Sequence, residues 1–165
     1  MTGGAEISDG GLYRYRLWRD WDASLGRVVW IMLNPSTADA TDDDPTIRKC
    51  CGFARKWGFG GIEVVNLFAL RSSNPVDLVD SYEAGIDPVG PCNDKAIYGS
   101  ASHGVAIAAW GAFQWEQAEY RVSVVRKFVG QLRCLRTTKT GAPGHPLYVP
   151  YSAVPLPWPA LKARA

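Results

Sequence analysis

The chain has 165 residues, 47% of them hydrophobic and 21% charged, with a formal net charge of +2. Those proportions fit one globular α/β domain over 1–165 and exclude a disordered chain. The mean hydropathy is −0.12, and every apolar run breaks well short of the roughly 20 residues that a membrane span needs.

Met1 to Ser8 has neither the basic nor the apolar stretch of a signal peptide, so a cytoplasmic monomer with no membrane partner is expected. Residues 1–10 and 155–165, about, are expected to be loosely ordered. Leu12-Tyr-Arg-Tyr-Arg-Leu-Trp-Arg19 alternates bulky and basic residues, as a half-exposed edge strand or hairpin does. Asp22 to Gly26 is turn material. Val28 to Leu33 is continuously apolar, the pattern of a strand covered on both faces. Asp44-Pro45 predicts a helix start, with Asp at the N-cap and Pro at the first turn. The helix runs to about Trp57, where Gly58 stops it.

Ile62 to Leu67 predicts a second buried strand, closing a parallel strand–helix–strand unit. A loop-rich stretch follows, with a helical turn over Val76 to Glu83. Further along, Asn93 to Ser100 reads as helix, Val105 to Trp110 as strand, Glu116 to Val129 as helix and Leu132 to Leu135 as a short strand. Six prolines from Pro143 onward predict an extended tail laid over the body. The expected fold is a three-layer α/β/α sandwich with a central, mostly parallel four-stranded sheet.

Charge is unevenly spread. Residues 1–100 carry ten Lys/Arg and fourteen Asp/Glu (net −4), and residues 101–165 carry eight and two (net +6). A basic final third favours a phosphate-bearing partner, DNA or a nucleotide. The competing explanation is that Arg121, Arg126, Lys127, Arg133, Arg136 and Lys139 form the solvated face of a helix and its exit. Cys50, Cys51, Cys92 and Cys134 lack metal-site spacing and read as buried free thiols; with two histidines in the chain, no metal is expected. No Gly-rich phosphate loop is present, so no cofactor is expected.

In open parallel sheets, ligands bind beyond the carboxyl ends of the strands. There the sequence sets Asn34-Pro35-Ser36, Asn66, Trp110-Gly111-Ala112 and, after the last strand, the loop Thr138 to Leu147 with His145.

Val28-Val-Trp-Ile-Met-Leu-Asn-Pro-Ser36 resembles the first motif of the uracil-DNA glycosylase superfamily, above all its mismatch-specific branch. Val64-Val-Asn-Leu67 is similar to the strand whose asparagine reads the base in that superfamily. Ala108-Ala-Trp-Gly-Ala112 resembles its Leu-Trp-Gly strand end, and His145-Pro-Leu147 the start of its His-Pro-Ser motif. The four matches come in the superfamily's order, from about Arg27 to Leu147. Leu33-Asn-Pro-Ser-Thr-Ala-Asp39, Asp43-Asp-Pro-Thr-Ile-Arg48 and Val65-Asn-Leu-Phe-Ala-Leu-Arg71 more closely resemble a bacterial and phage family catalogued as domain of unknown function 1643.

The superfamily resemblance implies a glycosylase-like fold and a hydrolase that recognises a base and cleaves its N-glycosidic bond. Asn34 would orient the water; apart from the resemblance, the run Asp42-Asp43-Asp44 offers Asp43 or Asp44 to activate water or bind a cation. Asn66 would read the base edge, and His145 would donate to a base carbonyl or stabilise the departing anion. Phe68, Trp110 or Phe113 would stack on the base beside Gly111. Ser36, Thr37, Lys139, Pro146 and Leu147 would hold the phosphate backbone around a flipped nucleotide.

Each role has a structural competitor. Asn34 before Pro35 begins turns, His145 caps a loop, Trp110 packs in a core, and the run Asp42-Asp43-Asp44 caps a helix. The most active superfamily members carry aspartate where Asn34 stands, and an amide cannot accept a proton, which implies weaker water activation; separately, Leu147 stands where the fuller motif has a serine after His-Pro. A catalytically silent base-binding module, and a protein-interaction domain using the Trp- and Pro-rich surface, are the other readings.

Overall fold

The computed structural model describes residues 1–159 apart from Thr37 and His103. In chain order the elements are β1 (Thr2–Ile7), β2 (Arg14–Asp20), β3 (Arg27–Met32), α1 (Pro45–Lys56), β4 (Gly61–Asn66), α2 (Val76–Glu83), α3 (Asn93–Ala101), β5 (Ala106–Ala108), α4 (Glu116–Val129), β6 (Leu132–Cys134), a single 3-10 turn (Pro146–Tyr148) and β7 (Leu156–Trp158).

The strands form one sheet in the order β1-β2-β4-β3-β5-β6-β7. The inner four, β4, β3, β5 and β6, run parallel, and β1, β2 and β7 are added antiparallel at the two edges. Among the described residues the sheet therefore has seven strands: the four expected from the apolar runs, the edge strand expected over Leu12 to Arg19 (β2), and two more, β1 and β7, which lack such patterns. β1 reads Thr-Gly-Gly-Ala-Glu-Ile, and its glycines fit because the Trp18 ring and the Arg19 stem lie where their Cβ atoms would be. β7 is Leu-Pro-Trp, which a proline confines to an edge. Residues 2–7 and 156–158 are thus paired strands rather than loose termini.

β3 and β4 are covered on both faces, and their apolar residues divide between two layers. On one face Val28, Trp30, Ile62 and Val64 meet Ile47, Cys50, Phe53 and Ala54 of α1. On the other, Val29, Ile31 and Val65 meet Leu78 of α2, Ile97 of α3 and Val125 of α4. Each fully buried Val, Ile or Phe contributes about 1.5–3 kcal/mol to this three-layer packing. α1 starts where Asp44 accepts from the Ile47 amide at 2.8 Å and ends before Gly58, whose φ is 80°. The proline-rich tail crosses this layer: Tyr151 packs on Phe53 with ring centroids 4.9 Å apart.

Among the cysteines, Cys50, Cys51 and Cys134 are buried, whereas Cys92 is exposed at the start of α3. No helix among the described residues is long and apolar enough to cross a membrane.

Candidate functional site

Taken in chain order, the four parallel strands lie 2-1-3-4 across the sheet, so the chain changes direction between β3 and β5. That switch point opens a crevice at the carboxyl edge. A cavity of about 210 Å³ lies there, walled by Asn34 and Ser36 after β3, Asn66 at the end of β4, Trp110 after β5, His145 after β6, and Asp44 and Thr46 at the start of α1. It is smaller than the roughly 300–1,000 Å³ of pockets that enclose drug-sized ligands.

Asn66 is 1% exposed, and neither Nδ2 nor Oδ1 has a hydrogen-bond partner among the described residues. Its main chain is held. The Asn93 amide donates to the carbonyls of Asn66 and Leu67 at 3.0 and 3.1 Å, and Arg121 Nε donates to Leu67 at 2.7 Å. A rigid backbone thus presents one donor and one acceptor, coplanar and unsatisfied, at the cavity wall. A buried amide in that state costs about 1–3 kcal/mol, so the position is not there for stability.

Asn34 uses Nδ2 to donate to the Ser72 carbonyl at 2.9 Å and the Pro35 carbonyl at 3.3 Å. The turn-forming role is real, and it leaves Oδ1 as an acceptor without a partner among the described residues. Asp44 is the helix cap, and its second oxygen accepts from the Ser36 hydroxyl. Both carboxylate oxygens are thereby occupied in one loop-and-helix unit beside the cavity.

His145 caps the 3-10 turn by accepting the Leu147 N–H on Nδ1 at 3.3 Å. A neutral ring that accepts on Nδ1 carries its proton on Nε2, so capping selects the tautomer that donates outward. Burial holds the imidazole below its ordinary value, and the charge of Asp44 opposes that shift without cancelling it.

The structure brings together Asn34, Ser36, Asp44, Asn66, Trp110 and His145. Asp43 stands apart, ion-paired with Arg19 at 2.8 Å. Phe68 is 1% exposed and stacks on Trp115, so it faces the α2–α4 layer rather than the cavity. Gly111 and Phe113 wall a neighbouring hollow of about 410 Å³ that shares Trp110 and Leu33 with the site. Trp110 is itself buried, edge-on to Trp158 at 5.1 Å, and so serves core and cavity at once. Pro146 is buried in the turn; Leu147 serves the site through its amide. Lys139 is exposed in the turn closed by Gly141 N to Thr138 O, outside the wall of this cavity. Thr37 lies outside the described residues. Arg121, expected on a solvated face, is buried under α4 and ion-paired with Asp94 at 2.5 Å.

A family model described as "Protein of unknown function (DUF1643)" matches residues 14–147. The chain belongs to that family. No curated protein and no solved structure matches it, so the likeness to the glycosylase superfamily rests on the four sequence motifs alone.

The matched span begins at Arg14, a cavity residue that the strand pattern does not single out. β2 runs antiparallel to β4, so its first residue lies at the edge where the parallel strands end. The pairing with β1 also skips Tyr15: Glu6 faces Arg16 and Ile7 faces Arg14. This β-bulge reverses the alternation and sends the Arg14 side chain to the α1 side, where Nη1 donates to the Ala38 carbonyl. Ser72, Ser73 and Thr46 also join the wall from loop and helix start. As common surface residues they carry no sequence signal of this placement.

Proposed function

We propose that the cavity at the sheet's carboxyl edge binds a single nucleobase, from DNA or a nucleotide, and that the protein hydrolyses its N-glycosidic bond. The observation that carries this reading is the Asn66 amide, rigidly held, buried and without a partner among the described residues, at the wall of a cavity of about 210 Å³. A planar donor–acceptor pair matches the edge of a base in bidentate fashion. His145 supplies an Nε2–H for a base carbonyl, and Asn34 Oδ1 accepts a proton of the attacking water without removing it. The electron pair of the broken C–N bond leaves with the base. Water oxygen bonds to the anomeric carbon, its proton goes to solvent, and the base is reprotonated on release. The exposed Lys139, Arg136 and Arg126 of the basic final third supply contacts for a phosphate backbone.

A silent base-binding module is the second reading, favoured by one observation: the Asp44 carboxylate is already engaged in the fold, capping α1 through Ile47 N and accepting from Ser36. Incubation with oligonucleotides containing uracil, hypoxanthine and mismatches, and with a set of nucleosides, tests both. Base release that is lost in Asn66→Ala supports the hydrolase. Binding without release, abolished in His145→Ala and unchanged in Asn34→Ala, supports the module. Absence of both overturns the base-site reading.

A further inference from the structure

Arg14 is 2% exposed and walls the cavity, yet no carboxylate among the described residues lies within ion-pairing distance of its guanidinium. Nη1 donates to the Ala38 carbonyl. Nε is buried without a partner, and Nη2 makes no hydrogen bond among the described residues. Buried charges in folded proteins are ordinarily paired, because leaving water is costly. The other buried arginines here follow that rule: Arg19 is held by Asp43 at 2.8 Å and Arg121 by Asp94 at 2.5 Å.

The surroundings supply no direct ion-pair partner. The charge of Asp44 at the start of α1 favours the Arg14 cation, but its carboxylate hydrogen-bonds Ile47 N and Ser36 Oγ and makes no ion pair with the guanidinium. Asp39 in the connecting loop is half-buried and engaged by Thr41 and Asp42; its charge favours the Arg14 cation without forming an ion pair with it. Arg19 and Arg71 are like charges that press against Arg14, and His145 across the cavity is held neutral by burial. Desolvation lowers the Arg14 guanidinium to about 10, which still leaves it cationic at neutral pH. Holding the Ala38 carbonyl requires a donor, and a neutral side chain would do that without burying a cation.

We infer that Arg14 is the anion-recognising residue of this cavity, meeting negative charge that the occupant carries or develops. The inference builds on the base-binding reading, in which the charge is that of the departing base. Arg14 then works with His145: the imidazole donates to a carbonyl without adding charge, and the guanidinium balances the electron pair that leaves with the base. Asn66 reads the edge between them. The same chemistry also suits a nucleotide phosphate, and the two sources separate by experiment.

Calorimetric titration of the whole protein would use three probes: a free pyrimidine base acidic enough to ionise in mild alkali, its N-methylated form that cannot ionise, and inorganic phosphate. The pH range stays below that in which Arg14 loses its proton. Affinity for the ionisable base should rise with its ionisation, about 10- to 100-fold over the methylated form, as for a hydrogen bond to a charged group. Arg14→Met should erase that difference and Arg14→Lys retain part of it. Because Arg14→Met also loses the Ala38 contact, the wild-type comparison of ionised and methylated base stands as the test that needs no variant. Equal binding of the two bases by the wild-type protein overturns the role of Arg14 and leaves the base site standing. Phosphate binding without base binding keeps the anion role and overturns the base reading. No binding of any probe overturns both.

Discussion

The Asn93 side chain donates to the main-chain carbonyls of both Asn66 and Leu67, at 3.0 and 3.1 Å, so α3 fixes the backbone from which Asn66 projects. Leu67 keeps a second side-chain donor in Arg121, and Asn66 has none among the described residues. Asn93→Ala should therefore cost about 1–3 kcal/mol, the penalty for stranding a buried carbonyl. Ligand affinity should drop as well, because the Asn66 amide loses its fixed aim. Urea denaturation together with ligand titration checks both. A variant as stable as the parent would mean that water replaces the lost donor.

Replacing Asn66 itself should act in the opposite sense. An unpartnered buried amide is destabilising, and leucine fills nearly the same shape without unmet polar atoms. Asn66→Leu should gain about 1 kcal/mol, or about 2–4 °C in Tm for a chain of this size, while abolishing ligand binding. Such exchange of stability for function marks a binding position. A lower Tm would show that the amide is satisfied in the free protein, and the case for a reserved donor–acceptor pair would fall.

The fold's centre is legible from residues that answer to one constraint. The apolar residues of Val28 to Leu33 and Ile62 to Leu67 are packed between α1 on one face and α2 to α4 on the other. Asp44-Pro45 starts a helix by local hydrogen bonding alone. The edges answer to neighbours instead. Gly3 and Gly4 belong to a strand only because the Trp18 and Arg19 side chains lie over them. In the site, Asn34, Asn66 and His145 are legible because polar groups at the ends of apolar strands have few other reasons to be there. Arg14 is not, since period-two reading pairs it with Arg16. The bulge at Tyr15 separates them, Arg16 turning to Glu63 and Arg14 to Ala38. Phe68 fails for a related reason: it lies two residues past Asn66, beyond the end of β4, where strand alternation stops and the side chain turns into the α2–α4 layer.

Glu63 joins three elements, accepting from Arg16 Nε at 2.6 Å, Arg27 Nη1 at 3.2 Å and the Ser100 hydroxyl. Burial alone would raise its carboxyl, but hydrogen bonds from Arg16 and Ser100 and the charges of Arg16 and Arg27 outweigh burial and leave it below the ordinary value of 4.5. A lowered acid stabilises the fold above its unfolded value, and that contribution fades as pH falls through the folded value. Glu63→Gln should cost about 1.5–3 kcal/mol at neutral pH, toward the lower end because Arg16 and Arg27 are a third exposed and regain water. Below pH 4.5 the gap between variant and parent should close. Urea midpoints measured from neutral to acid pH would show this, and a constant gap would exclude an ionised Glu63 as its source.

His145 should make both stability and binding fail on the acid side. Its Nδ1 accepts the Leu147 amide, which a protonated ring cannot do, and burial already lowers its affinity for a proton from the ordinary 6.5. The unfolded chain therefore takes up a proton before the folded one does. Stability is complete above pH 6.5 and declines as pH falls from there through the lowered folded value. His145→Gln should remove that slope, though it also weakens the cap at the 3-10 turn. Protonation keeps the Nε2–H donor but expels the Leu147 amide from Nδ1, so the affinity of a neutral ligand should fall over the same interval through loss of the ring's aim. Nitrogen NMR of the imidazole distinguishes the two tautomers directly. A ring protonated on Nδ1 at neutral pH would place the donor on the Leu147 side and remove His145 from the roles assigned to it.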